Sequence, residues 1–252
     1  MSDQLKNQDA TTDGLAQPLY TPIKRRSFFM YAGATAGATA LLLSGCDDDD
    51  DNNPSLPAGN STTANGSISL GSGDVGVLNY AYALEQLEAD FYDRVAKLTN
   101  GAALIGTNEF AYFQQVAKHE AIHRDFFKAA ITRDAAGQVL RDLTPNYPAG
   151  TFDSRTSILA TAKAFEDLGV AAYNGAGKLL KTPAYLVIAG QIVSVEARHA
   201  AYIRDLIAPG SFAADDQVNA LGLDMAMTPA QVLTVAQTFV TEKLDGSTIG
   251  VN

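Results

Sequence analysis

The sequence predicts an all-α fold: an antiparallel four-helix bundle with a long crossover between its second and third helices, followed by a shorter fifth helix. Three observations carry that prediction. Four stretches of about 25 residues, each roughly 37 Å long as a helix, repeat apolar side chains at helical spacing. The links between them run short, long, short, which pairs the helices as two hairpins joined by a crossover. No stretch of useful length alternates apolar and polar residues as a half-buried strand would.

Residues 1–45 precede any such pattern. Met1–Pro22 is polar and reads as unstructured. Lys24-Arg25-Arg26-Ser27-Phe28-Phe29-Met30 then leads into a weakly apolar run from Tyr31 to Leu43. A basic pair before a run too short to span a bilayer is an export signal, and this one resembles a twin-arginine address. Leu43-Ser44-Gly45-Cys46 resembles a lipobox, in which Cys46 is acylated and becomes the mature N-terminus. The expectation is an exported bacterial protein on the periplasmic or cell-envelope side, tethered to the lipid bilayer through that acyl anchor. Residues 46–73 open with five aspartates, Asp47–Asp51, and continue rich in Asn, Ser, Gly, Pro and Thr. Such a composition reads as a disordered tether.

The bundle is expected over residues 74–207. Asp74 is a candidate N-cap for a first helix whose apolar positions include Val77, Leu78, Ala81, Leu84, Leu87, Phe91, Val95 and Leu98. Asn100-Gly101 stops it. Thr107 or Asn108 caps a second helix running to about Ile131. Arg133–Phe152 holds Gly137, Pro145, Pro148 and Gly150 and is the irregular crossover. Asp153 or Ser154 starts a third helix to about Leu180, and Thr182-Pro183, with proline at the first helical position, starts a fourth to about Ile207. Residues 208–252 form a C-terminal loop and the short fifth helix, from Thr228-Pro229 to Leu244.

Composition narrows the function classes. The formal net charge is −10, so no nucleic acid is expected as a partner. The single cysteine, Cys46, excludes an internal disulfide framework and a Cys-based zinc knuckle.

Lys118–Phe127 contains two of the three histidines and offers two metal motifs at once. His119-Glu120-x-x-His123 is the HExxH zinc metalloprotease signature, with a general base between two ligands. Glu120-x-x-His123 alone is half of a carboxylate-bridged two-metal site. The fourth helix favours the second reading, because Glu196-Ala197-Arg198-His199 repeats Glu-x-x-His. Residues three apart share a helix face, so each pair aims a carboxylate and an imidazole at one point. The protease motif leaves that repeat unexplained and is followed here by the charged pair Arg124-Asp125. His119 lies around the helix from the Glu120–His123 face and reads as a neighbour of the site.

A two-metal site needs one more glutamate from each remaining helix. The third helix has only Glu166, whereas Glu85 and Glu88 compete on the first. Aligning Leu84–Tyr92 with Phe165–Tyr173 matches Glu85 with Glu166, Leu87 with Leu168 and Tyr92 with Tyr173. Glu88 falls opposite Gly169. Glu85 is therefore the preferred ligand and Glu88 the alternative.

Glu85, Glu120-x-x-His123, Glu166 and Glu196-x-x-His199 together resemble the metal ligands of the ferritin-like superfamily. The Leu-Glu-x-Leu-Glu-Ala-Asp-Phe-Tyr run from Leu84 resembles the ferritin-like domain branch that includes desiccation-related proteins. The resemblance covers roughly Asp74–Ile207. It implies two iron ions, with manganese the alternative, bridged by Glu120 and Glu196. Hard oxygen and borderline nitrogen donors suit such metals, and four carboxylates balance two divalent charges. Tyr92 and Tyr173 resemble the tyrosine that sits beside the site in several members and are candidates for redox-active residues. The implied activity is oxidoreduction of Fe(II), dioxygen or peroxide, of ferroxidase or peroxidase type. The chain has no Cys-x-x-Cys module, so a peroxidase would need an external electron donor, and a homodimer is compatible. The alternative is a non-catalytic stress or desiccation-related envelope protein. Asp90, Asp125 and Asp167 are candidates to hold ligand imidazoles from behind and read equally as solvated charges, and Phe91, Phe126, Phe127 and Phe165 are expected in the core.

Overall fold

A computed structural model describes residues 62–63 and 65–251; the export signal, Cys46 and most of the acidic tether lie outside the described residues. The described chain is all-α in character, as predicted. α1 (Gly73–Ala96) and α3 (Thr107–Ala135) form one hairpin, with a five-residue helix, α2 (Gly101–Ile105), in the turn between them. α4 (Arg155–Ala176) and α5 (Pro183–Ile207) form the other. α6 (Pro229–Ala236) packs against α4, and a short 3-10 turn carries it to Phe239. The fifth helix therefore stops short of the predicted Leu244. α2 was not expected, since five residues are too few to show a period.

The helix starts follow their sequences, with two exceptions: α3 begins at Thr107 itself, with Gly106 rather than Thr107 or Asn108 at the cap, and the other is the start of α1. Ser154 caps α4 in a reciprocal box with Ser157, and Thr228 caps α6 in another with Gln231. Pro183 occupies the first turn of α5. Asp74, expected as the cap of α1, lies inside its first turn instead. Its carboxylate accepts from the Lys181 and Thr182 backbone N–H groups at 2.7 and 2.9 Å, tying the start of α1 to the entry of α5.

α1 is the central element. Apolar residues on every side of it, among them Val77, Tyr80, Tyr82, Leu84, Leu87, Phe91 and Tyr92, are buried. A helix apolar all round must be covered all round, and the crossover supplies part of the cover. Buried backbone groups of an irregular segment need partners, and two side chains of α1 provide them. Asn79 donates to the Gln138 carbonyl at 2.7 Å and accepts from the Leu140 N–H at 2.9 Å. Two turns on, Gln86 accepts from the Leu143 N–H at 2.7 Å.

The segment before α1 corrects the predicted tether boundary. β1 (Ile68–Ser69) pairs in parallel with β2 (Leu244–Asp245), and Ile68 and Leu70 are buried. Composition averaged over residues 46–73 hides this short apolar piece, whose partner lies at the far end of the chain. The C-terminal region is held a second time by Arg204 of α5, whose guanidinium donates to Asp167 at 2.7 Å and to Asp216 at 2.8 Å.

Candidate metal centre

The four long helices each contribute a fully buried glutamate: Glu85 on α1, Glu120 on α3, Glu166 on α4 and Glu196 on α5. Helical spacing places His123 and His199 one turn beyond Glu120 and Glu196, on the same faces. The structure brings the six predicted residues into two groups, Glu85, Glu120, His123 and Glu196 in one, and Glu120, Glu166 and His199 in the other.

Glu120 and Glu196 each divide their two oxygens between the imidazoles. Glu120 Oε2 lies 3.4 Å from His123 Nδ1 and Glu120 Oε1 lies 3.0 Å from His199 Nδ1. Glu196 does the same, with Oε1 at 2.7 Å from His123 Nδ1 and Oε2 at 3.1 Å from His199 Nδ1. Glu85 Oε2 and Glu166 Oε2 close the two ends, each 3.6 Å from its own imidazole.

The outer oxygens of the terminal glutamates are taken, and the inner ones are not. Tyr92 Oη donates to Glu166 Oε1, and Tyr173 Oη donates to Glu85 Oε1. Each tyrosine thus serves the carboxylate of the opposite hairpin rather than the glutamate two turns earlier on its own helix. Spacing along one helix could not reveal that exchange. Glu85 Oε2, Glu166 Oε2, Glu196 Oε1, both oxygens of Glu120 and His123 Nδ1 have no aligned hydrogen-bond partner, although several lie close together. A buried polar atom left so costs about 1–3 kcal/mol. Convergent, unpaired donor atoms of this kind fit a pair of hard or borderline cations.

Charge tells the same story. Burial pushes Glu85 and Glu166 up, each to about 8, against the opposing pull of His123 and His199. Glu120 feels the same burial, but the two imidazoles beside it hold its carboxyl below the ordinary value. Burial disfavours the imidazolium of His123 and of His199, yet the surrounding carboxylates raise each to about 12. The interior is a concentrated negative field that favours any cation within it.

Neighbouring residues separate the alternatives left open by the sequence. His119 belongs to neither group: its Nδ1 lies 3.0 Å from His199 Nε2, behind the ligand, with the two rings stacked. The HExxH geometry, which needs His119 and His123 aimed at one ion, is not what the helix presents. None of the three aspartates holds an imidazole. Asp90 accepts from Arg94 and Tyr147, Asp125 from Arg124, and Asp167 from Lys163 and Arg204. Each lies nearer a cation or phenol of its own neighbourhood than a ligand ring.

Glu88 is also buried, with Oε2 unpaired, but stands outside both groups. A Cβ on Gly169 would come within 2.9 Å of Glu88 Oε1, so the carboxylate occupies the side-chain space of the residue opposite Glu88 in the repeat. Burial and the field of Glu85 push Glu88 well above the ordinary carboxylate range.

A helix bundle that aims four carboxylates and two imidazoles into its own interior defines a class of protein, one built around a carboxylate-rich cluster that could hold metal ions. Comparison with known families makes it specific. A ferritin-like domain matches residues 73–209, from the first residue of α1 to just past the end of α5. The chain belongs to that ferritin-like family. No curated protein matches it by sequence.

Proposed function

We propose that the protein is an exported di-metal oxidoreductase of ferroxidase or peroxidase type, acting on Fe(II), dioxygen or peroxide. The observation that carries this reading is the division of Glu120 and Glu196 between His123 and His199, with Glu85 and Glu166 at the ends. Glu85, Glu120, His123 and Glu196 would hold one ion, and Glu120, Glu166, Glu196 and His199 the other. Two iron ions, or manganese as the alternative, would supply redox and Lewis-acid chemistry there.

The chain's own residues set the conditions for it. Burial of all four glutamates excludes bulk water from the centre. Tyr92 and Tyr173 fix the terminal carboxylates from outside. Each phenol proton already points at a carboxylate oxygen, which would receive it if the ring lost an electron, so the two tyrosines are the redox-active candidates. With no Cys-x-x-Cys module in the chain, the reductant for a peroxidase must come from outside. Acylation at Cys46 would hold the protein at the envelope, with the bundle on the periplasmic side.

Metal analysis of protein matured in its native host tests the reading. The expected result is two ions per chain, one for each group, with mass spectrometry identifying iron or manganese. Chelation should lower the melting temperature, because ions that bind only the folded state stabilise it. Well under two ions per chain, together with a Glu120→Ala variant of unchanged stability, would sink the oxidoreductase. A non-catalytic stress-linked envelope protein would then be the better description.

A further inference from the structure

The two hairpins repeat one another around the metal centre, but not in the volume they place beside it. Matching Glu85 with Glu166 and Glu120 with Glu196 also matches Phe91 with Ala172, Val95 with Ala176 and Phe113 with Ala189. On the first side the large residues pack against Tyr92: Phe91 and Phe113 lie 5.1 and 5.5 Å from its ring, and all four side chains are buried. On the other side the three alanines line a cavity together with Tyr173, and the aromatic ring nearest Tyr173 there is Phe127, at 6.3 Å. Its lining includes Leu84 and Ala172, the chain neighbours of Glu85 and of the Tyr173 that binds it. Its outer end is formed by the partly exposed Leu180, Tyr185 and Ile188 at the α4–α5 connection.

The lining is almost wholly apolar, and the space admits about one small molecule. Apolar cavities of this kind stay dry and take up small apolar guests instead. Among the lining residues only Tyr80 carries a buried hydroxyl without a hydrogen-bond partner, so a polar substrate such as peroxide or a hydrated ion gains little from such walls. Three small residues at the three positions where the repeat carries large ones make the space a consistent feature of this half. We infer that the cavity is a dioxygen site, receiving dissolved gas at the α4–α5 connection and delivering it along Tyr173 to the Glu85–His123 side of the metal centre. The inference rests on the oxidoreductase reading for its purpose, but not for its test.

Xenon, an apolar atom that needs no metal, is the probe. Under xenon pressure, methyl resonances of Ala172, Ala176, Leu78 and Leu84 in the full chain should shift. Ala189→Phe, which restores the residue found on the other side, should abolish those shifts; Ala176→Val, a smaller filling, serves if that variant fails to fold. Absence of a xenon response in the unsubstituted chain overturns the cavity site, whatever the metal content. In the iron-loaded chain, filling should slow oxidation of Fe(II) at limiting dioxygen by at least tenfold and leave the number of bound ions unchanged. Xenon binding combined with an unchanged oxidation rate at every dioxygen concentration overturns the dioxygen assignment. A chain that takes up xenon but no iron instead counts against the di-metal reading, and the cavity stands as a small-gas site alone.

Discussion

The two halves of the candidate metal centre use the same donor types and sit in different surroundings. On the His199 side, Tyr92 is sealed among Phe91, Phe113 and Val95, and His119 stands behind the ligand ring. On the His123 side, Tyr173 borders an apolar cavity, and Glu88 adds a fifth buried carboxylate next to Glu85. The position matching His119 is Val195, and the position matching Glu88 is Gly169. Donor atoms are thus repeated while the packing behind them is not. Two chemically similar ions would meet unequal access and unequal support, so that one can react while the other holds the geometry.

The largest effects should separate what the halves share from what they own. Glu120 faces both imidazoles, so Glu120→Ala should bring metal content from two ions per chain to nearly none. Glu85 faces only His123, so Glu85→Ala should leave the ion of the His199 side in place. Equal loss in both variants, measured as metal per chain after gel filtration, would mean that the halves do not fill independently. A middle-sized effect belongs to His119. His199→Ala should cost the ion on its side outright. His119→Ala removes only the partner of His199 Nε2 and should weaken that ion by roughly 10–100-fold, the usual range for a group behind a ligand. A zinc protease site would show the opposite order, with His119→Ala the more damaging in a metal titration.

Much of this arrangement was legible in the sequence because it is local. Glu120-x-x-His123, Glu196-x-x-His199 and the match of Glu85 with Glu166 are relations within one helix or between two copies of one helix. Helix length and link length together indicated the hairpins, and Ser154 and Thr228 announced their caps. What stayed hidden depends on contacts between distant segments. The tyrosines exchange partners across hairpins. Asn79 and Gln86 look like polar interruptions of an apolar helix until the crossover backbone is laid against them. Ile68 finds its strand partner near Leu244, and Asp74 serves α5 rather than its own helix. The aspartates misled because each stands within a few residues of a predicted ligand in the sequence, and only three-dimensional distance shows that arginine, lysine or tyrosine is nearer.

The smallest expected effect tests the comparison most directly, because it makes the same change on both sides. Tyr92→Phe and Tyr173→Phe each delete one hydroxyl that donates to a terminal glutamate. Tyr92 is fully buried in an aromatic shell, so no water can replace its hydroxyl, and Glu166 Oε1 is left without a donor. That loss should cost about 1–3 kcal/mol in denaturant unfolding of the metal-free chain. Tyr173 is half-buried and lines a cavity, so the side chains around the buried Glu85 oxygen have space to relax toward it. Its substitution should cost under about 1 kcal/mol, near the net worth of one hydrogen bond. Equal costs would show that the cavity does not soften its half of the site, and a larger cost for Tyr173 would reverse the assignment of the rigid side.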